Sequence, residues 1–269
     1  MKKVIGLLTA VGLMAAPLVQ AGTVTVSGST SVAHVMEVLA ENYQNTTNKN
    51  VEVQGTGSSA GIRAAKDGTS MIGMSSRNIK PNELTPKTKE IVIARDGIAT
   101  AVNKANPVKD LTQEQISKIY RGEIKNWSEV GGEARPIVVV TRENGSGTRG
   151  AFEEIMQLQR KVNGHTVTAI TPSAQVGNGN GMIKTIVANN PYAIGYISLG
   201  SVDDSLNALS VNGVAATDSN IAAGDYQIAR PFIALINEDA PATAKSFIEF
   251  IMSADGQGIV AEEGYIRVQ

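Results

Sequence analysis

The sequence predicts an α/β protein built as two units of parallel strands and crossover helices. Two observations carry this. Short β-rich runs alternate with amphipathic helical patterns along the chain. Four times, an apolar strand runs into a loop of Gly, Ser, Thr or Asn that then opens a helix: Gly28-Ser29-Thr30-Ser31, Gly55-Thr56-Gly57-Ser58-Ser59, Gly145-Ser146-Gly147-Thr148 and Gly177-Asn178-Gly179-Asn180-Gly181. Each loop is a place to hold an anion. The first turn of a helix leaves backbone N–H groups without partners, the macrodipole adds partial positive charge, and small residues let a ligand approach closely.

Taken in order, a strand over 23–26 precedes a helix whose apolar face is Val32, Val35, Met36, Leu39 and Tyr43. A strand over 51–54, a helix over 61–66 and a strand over 71–74 complete a first series. After an extended run over 91–102, a helix over 111–120 is expected, capped by Thr112 with Gln115 as its capping-box partner. Strand 136–141, helix 148–159, strand 166–170, helix 182–188 and strand 193–197 form a second series. The tail returns to the first style with strand 231–236, helix 241–251, a short helix over 257–262 and a strand over 265–268. The expected division is therefore one unit over 22–101 plus 230–269 and another over 102–229. The chain crosses between them near 101–103 and 226–230. A ligand would sit in the cleft, because such sheets bind at the carboxyl ends of their strands and domain interfaces favour pockets.

The first 21 residues read as a targeting segment. Lys2 and Lys3 precede an uncharged apolar run over 4–19, and Val19-Gln20-Ala21 is a small-residue cleavage pattern. Cleavage is expected after Ala21, with the mature protein free in a bacterial periplasm. There is no cysteine in the sequence, so neither a lipidated cysteine nor a disulfide framework is expected. Cleavage takes two lysines from the 24 basic residues and none of the 25 acids, leaving a net charge of −3. That balance excludes the basic footprint of a nucleic-acid-binding protein. With one Trp and four Phe the core is expected to be largely aliphatic.

Several chemistries fit poorly. Gly145 to Gly150 satisfies G-x-G-x-x-G, but no Asp or Glu lies between Ile155 and Val202 to hold a ribose hydroxyl. The Gly55–Gly61 loop continues into Ile62 and Arg63, not the Lys-Ser/Thr of a phosphate-binding loop of nucleotide hydrolases. The two histidines, His34 and His165, have no spacing to each other or to acids that suggests metal ligation or a Ser-His-Asp triad. Arg142 and Arg149 flank the third loop instead, beside the Ser146 and Thr148 hydroxyls, and an oxyanion wants this combination of guanidinium and small donors. The plain alternative is that both arginines form surface ion pairs with Glu143, Glu153 or Glu154. Arg77, after Ser75-Ser76 at a strand end, is a third candidate cation; Arg63 is expected on the outside of its helix.

Four stretches together carry a resemblance: 27–32 (Ser-Gly-Ser-Thr-Ser-Val), 55–62 (Gly-Thr-Gly-Ser-Ser-Ala-Gly-Ile), 72–77 (Ile-Gly-Met-Ser-Ser-Arg) and 142–149 (Arg-Glu-Asn-Gly-Ser-Gly-Thr-Arg). With 119–127 and 193–197, they make the chain resemble the periplasmic phosphate-binding proteins of the phosphate-specific ABC importer. The resemblance implies a type II periplasmic binding protein fold with a two-strand hinge and phosphate in the cleft. It implies binding through Thr30, Ser31, Ser58, Ser59, Arg142, Ser146, Gly147 and Thr148, with no metal or cofactor; with Ser29, Ser76, Arg77 and Arg149 from the reading of the loops and strand ends, these are the expected ligand-binding residues. It also implies a monomeric, non-enzymatic receptor that delivers phosphate to a permease in the inner membrane. One departure stands out. Relatives carry an Asp where this chain has Ser76, and that carboxylate accepts the proton of hydrogen phosphate and disfavours sulfate. Glu143 and Asp96 are the candidates to replace it. A receptor for sulfate, molybdate or phosphonate is the alternative in the same class; a secreted phosphatase or an adhesin are alternatives in others.

Overall fold

The computed structural model describes residues 22–268, so the expected leader over 1–21 lies outside the described residues. The chain opens with β1 (Val24–Gly28), α1 (Thr30–Thr47), β2 (Val51–Gly55), α2 (Ser58–Asp67) and β3 (Ile72–Ser75). β1 is central here, pairing in parallel with β2 on one side and β3 on the other. The long β4 (Thr88–Asn103) is followed by β5 (Asp110–Leu111), α3 (Gln113–Arg121), β6 (Val138–Arg142) and α4 (Gly147–Ile155). A hairpin of β7 (Gln159–Val162) and β8 (His165–Thr168) leads to β9 (Gln175–Gly177), α5 (Gly179–Ala188) and β10 (Ala193–Ser198). β11 (Leu206–Ala208), β12 (Ser210–Val211) and α6 (Asp218–Ala223) precede β13 (Ala229–Asn237), α7 (Ala242–Ile251) and α8 (Ala254–Glu262).

One continuous sheet runs β2-β1-β3-β13-β4-β10-β6-β9, with β11 added on β4. β4 holds it together. Its first part, Thr88 to Gly97, is antiparallel to β13, and its second part, Ile98 to Val102, is antiparallel to β10. The buried apolar side chains gather in separate clusters on the two sides of that point. One joins α1, β1, β3, α7 and α8 through Val32, Val35, Met36, Leu39, Tyr43 and Phe247. A second joins α3, α4 and β10 through Ile116, Ile119, Tyr120, Phe152 and Tyr196, with the Phe152 and Tyr196 rings stacked 4.0 Å apart. Burying a side chain of this size contributes about 1.5–3 kcal/mol, so α1 is held by its apolar stripe more than by helix propensity.

Several element boundaries differ from the sequence expectation for local reasons. Helix α3 starts at Gln113 because Leu111 is used in a parallel pair with Val211; the Thr112–Gln115 capping box forms as expected. The helix expected over 148–159 ends at Ile155, and 159–162 pairs with 165–168 across Asn163 and Gly164, both at positive φ. Asn-Gly between two extended runs is the hairpin signal that the helical reading passed over. Helix α2 begins at Ser58, three residues before the expected start, and α8 at Ala254. The strand expected over 265–268 is reduced to a single bridge between Ile266 and Arg95. Helix α6, which the sequence reading passed over, is capped by Thr217.

Candidate functional site

The strands deliver four helix starts to one place. Ser29 caps α1, its hydroxyl accepting from the N–H groups of Ser31 and Val32. Gly57, at φ 90°, turns the chain into α2, a conformation that suits a residue without Cβ. Ser146 caps α4 by accepting from Arg149 N, and Asn178 precedes α5. Packing of α2 against β1 and β3 is close enough that a Cβ on Gly61 would lie 2.4 Å from the Gly28 Cα. The loops then touch across the cleft: the Ser59 N–H donates to the Gly145 carbonyl at 3.1 Å, and the hydroxyls of Ser31 and Thr148 are 2.9 Å apart.

At the meeting point lies a buried cluster of hydroxyls. Ser29 Oγ donates to Ser76 Oγ at 2.7 Å, the Ser76 N–H donates to Ser58 Oγ at 3.1 Å, and the Ser58 and Ser76 hydroxyls are 3.4 Å apart. Gly147 lies directly against them, since a Cβ there would fall 2.1 Å from Ser58 Oγ and 2.6 Å from Ser76 Oγ. Arg142, 1% exposed, spans the cleft: Nη2 donates to Thr30 Oγ1 at 3.1 Å and Nη1 to Asn180 Oδ1 at 2.9 Å. Its remaining contacts are with Glu143, Nε to Oε2 at 2.8 Å and Nη2 to Oε1 at 2.9 Å. A guanidinium has five N–H donors and these bonds use four, so one Nη1 hydrogen remains for a ligand.

Each expected arginine is paired with a carboxylate, though not on the surface. Arg149 is held by Glu153 at 2.7 Å and donates to the Arg142 carbonyl, which places it behind Arg142. Arg77 grips Glu83 with both terminal nitrogens at 2.7 Å and reaches Ser59 Oγ at 3.2 Å. So Ser29, Thr30, Ser31, Ser58, Ser76, Arg142, Gly147 and Thr148 come together. Ser59, Arg77, Ser146 and Arg149 surround and support that group.

Sequence reasoning left out Asn180 and Arg230. Asn180 donates from Nδ2 to Ser31 Oγ at 2.9 Å while accepting from Arg142. Its signal was present in the fourth Gly-Asn loop. Arg230, on β13, donates to Ser31 Oγ at 3.1 Å and is paired with Asp96 on β4 at 2.8 Å. Asp96 also accepts from Ser198 Oγ at 2.9 Å. Nothing local marks Arg230, because its role depends on which strands become neighbours.

The electrostatics follow from these pairings. Burial pushes the Glu143 carboxyl up, but the Arg142 hydrogen bonds and charge outweigh it, and the net shift is downward. Burial raises the Asp96 carboxyl, opposed by the charge and hydrogen bonds of Arg230. With both carboxylates facing an arginine, the groups left to meet a ligand are hydroxyls, guanidinium N–H and first-turn backbone N–H. All can donate to an anion, and several dipoles can replace its hydration. His34 is half-exposed beside Glu263, His165 is exposed, and no group of three potential metal ligands exists among the described residues.

Residues 16–255 match the PBP superfamily domain. The chain is 32% identical to the phosphate-binding protein PstS of Bacillus subtilis, over 92% of this chain and 81% of that one. It is 31% identical to PstS of Borreliella burgdorferi, over 91% and 90%. Among solved structures, a putative phosphate ABC transporter substrate-binding protein with bound phosphate from Clostridium perfringens superposes with a TM-score of 0.87 at 48% identity, covering 92% of this chain and 100% of that one. An ABC-type phosphate transport receptor from Vibrio cholerae gives 0.76 at 44% identity, covering 90% and 99%. A type II periplasmic binding protein fold is thus shared with proteins named for phosphate transport, and the chain belongs to the PBP superfamily, in the PstS family of phosphate-binding proteins.

Proposed function

We propose that this protein captures inorganic phosphate and delivers it to an ABC importer. The observation that carries the reading is the position of Arg142, buried with one spare N–H where four helix starts converge. The relatives named for phosphate binding support it. In this reading residues 22–101 with 230–269 form one lobe and 102–229 the other, and β4 and β13 are the hinge. Phosphate is held by Ser29, Thr30, Ser31, Ser58, Ser76, Arg142, Gly147 and Thr148, with Ser59, Arg77, Ser146 and Arg149 holding those groups in place. Donors come from both lobes, so the ligand has higher affinity for the closed arrangement and shifts the population toward it. The closed, monomeric protein then docks on a membrane permease from the periplasmic side.

The donor set supports capture, since hydroxyls, guanidinium N–H and first-turn backbone N–H all donate to an anion. Small-angle scattering of the ligand-stripped protein tests the reading: phosphate should shrink the radius of gyration, and Arg142→Ala should raise the phosphate concentration at which the change occurs. An unchanged radius with saturating phosphate, or turnover of a chromogenic phosphate ester by the purified protein, would oppose it.

One observation favours a broader receptor. Ser76 presents a hydroxyl where a carboxylate would demand a protonated ligand, and both nearby carboxylates are taken by arginines. Sulfate, molybdate or phosphonate would then compete with phosphate, and displacement of bound phosphate by each is the check.

A further inference from the structure

We propose that Arg230 is a positioning residue of the anion site, acting through Ser31 to fix the direction in which the cleft hydroxyls donate. The inference rests on the phosphate-capture reading and adds to it a part of the hinge strands that the sequence motifs do not touch.

Ser31 Oγ has three neighbours: Asn180 Nδ2 at 2.9 Å, Arg230 Nη2 at 3.1 Å and Thr148 Oγ1 at 2.9 Å. Arg230 can only donate. The Asn180 amide is oriented by Arg142, whose Nη1 donates to Oδ1 at 2.9 Å, so the nitrogen of that amide must face Ser31. Both acceptor sites of the Ser31 hydroxyl are therefore occupied, and its single hydrogen points to Thr148 Oγ1. Thr148 accepts that bond and keeps its own hydrogen for another acceptor. In this way Ser31 donates into Thr148, and the Thr148 hydroxyl is set as the donor left over, the polarity an anion requires. Without Arg230, Ser31 is free to turn and accept from Thr148, which takes the Thr148 hydrogen away from the ligand and leaves the free hydrogen on Ser31, pointing elsewhere.

Arg230 is itself held for this task. It stands opposite Asp96 in the β4–β13 register, and Asp96 Oδ2 takes Nε at 3.2 Å and Nη2 at 2.8 Å. Nη1 donates to the Ser76 carbonyl at 3.2 Å. Both members of the pair are almost fully buried, 4% and 1% exposed. A pair placed there only to join two strands would have no reason to spend a donor on Ser31.

The test is a double-mutant cycle read by titration calorimetry with inorganic phosphate on the full mature chain. One arm is Ser31→Ala; the other replaces the pair together, Asp96→Asn with Arg230→Gln, which keeps the net charge and avoids an unpaired buried carboxylate. Thermal melts of each variant accompany the titrations. In the presence of Ser31 the pair replacement should weaken phosphate binding about tenfold or more, and in the Ser31→Ala background its effect should fall by about fivefold or more, as expected for groups that act as a unit. Equal losses in both backgrounds would overturn the inference and leave phosphate capture standing. No phosphate binding by the unaltered protein would instead remove the reading on which it rests. If the pair replacement does not fold, Arg230→Lys keeps the charge but loses the fork, and the same coupling to Ser31 is expected; additivity there overturns the proposal equally.

Discussion

The guanidinium of Arg142 and the side-chain amide of Asn180 are joined at 2.9 Å, and through Asn180 the arginine is tied to Ser31 on α1. Arg142 ends β6 and Asn180 lies one residue inside α5, so one strand end and one helix start together hold the hydroxyl of a third element. The relationship fixes the rotamer of Arg142, whose remaining Nη1 hydrogen lies among the loops.

Arg142→Ala should weaken phosphate binding by about 1.5–3 kcal/mol, the range for a hydrogen bond to a charged group. It also leaves Glu143 half-buried without its cation, so the carboxyl should titrate at higher pH in the variant than in the unaltered protein. Calorimetry and carbon-detected NMR of the Glu143 carboxyl measure the two effects.

Gly147→Ala separates closure from folding. The added Cβ would lie 2.1 Å from Ser58 Oγ across the cleft, and relieving such overpacking costs about 1–3 kcal/mol. The cost should fall on phosphate binding, while the melting temperature of the ligand-free protein stays close to that of the unaltered chain.

How much of this was legible in the sequence varies with range. The βα alternation, the apolar face of α1 and the Thr112–Gln115 capping box are local patterns, and they are read directly. The pairing of Leu111 with Val211, which shortens the start of α3, joins residues far apart in the chain and leaves no local trace. At the site, the loop residues carry their own signal because a small residue before a helix has a physical meaning by itself. Arg230 does not, since only the antiparallel contact of β13 with β4 places it beside Asp96 and Ser31.

Tyr196→Phe should cost about 1–3 kcal/mol of stability in denaturant unfolding, the penalty for leaving a buried donor without its acceptor. The Tyr196 hydroxyl accepts from the Arg142 N–H at 3.2 Å and shares a hydrogen bond with the Thr141 hydroxyl at 2.7 Å. Burial pushes its phenol up to about 12, so it remains protonated through the working range and the effect should not vary with pH between 6 and 9.

Glu83 predicts a pH dependence. Hydrogen bonds from Arg77 hold its carboxyl below the usual glutamate range, against the opposing effect of partial burial. A carboxyl lowered in the folded state contributes stability that is present above its ordinary titration range and is lost as pH falls through the lowered value. Glu83→Gln should therefore be less stable than the unaltered protein at pH 7, and the gap should narrow on acidification. Urea midpoints at pH 7, 4 and 3 for both proteins give the comparison; a constant gap would mean that the Arg77–Glu83 pair does not contribute through its charge.

The central claim is that the donor cluster between Ser31, Ser58, Ser76, Arg142 and Thr148 takes up phosphate. Titration calorimetry of the ligand-stripped mature protein with phosphate, followed by sulfate, tests it most directly. The account predicts saturable binding of one phosphate per chain that Arg142→Ala weakens, whereas the absence of phosphate binding at neutral pH, or binding that Arg142→Ala leaves untouched, would contradict it.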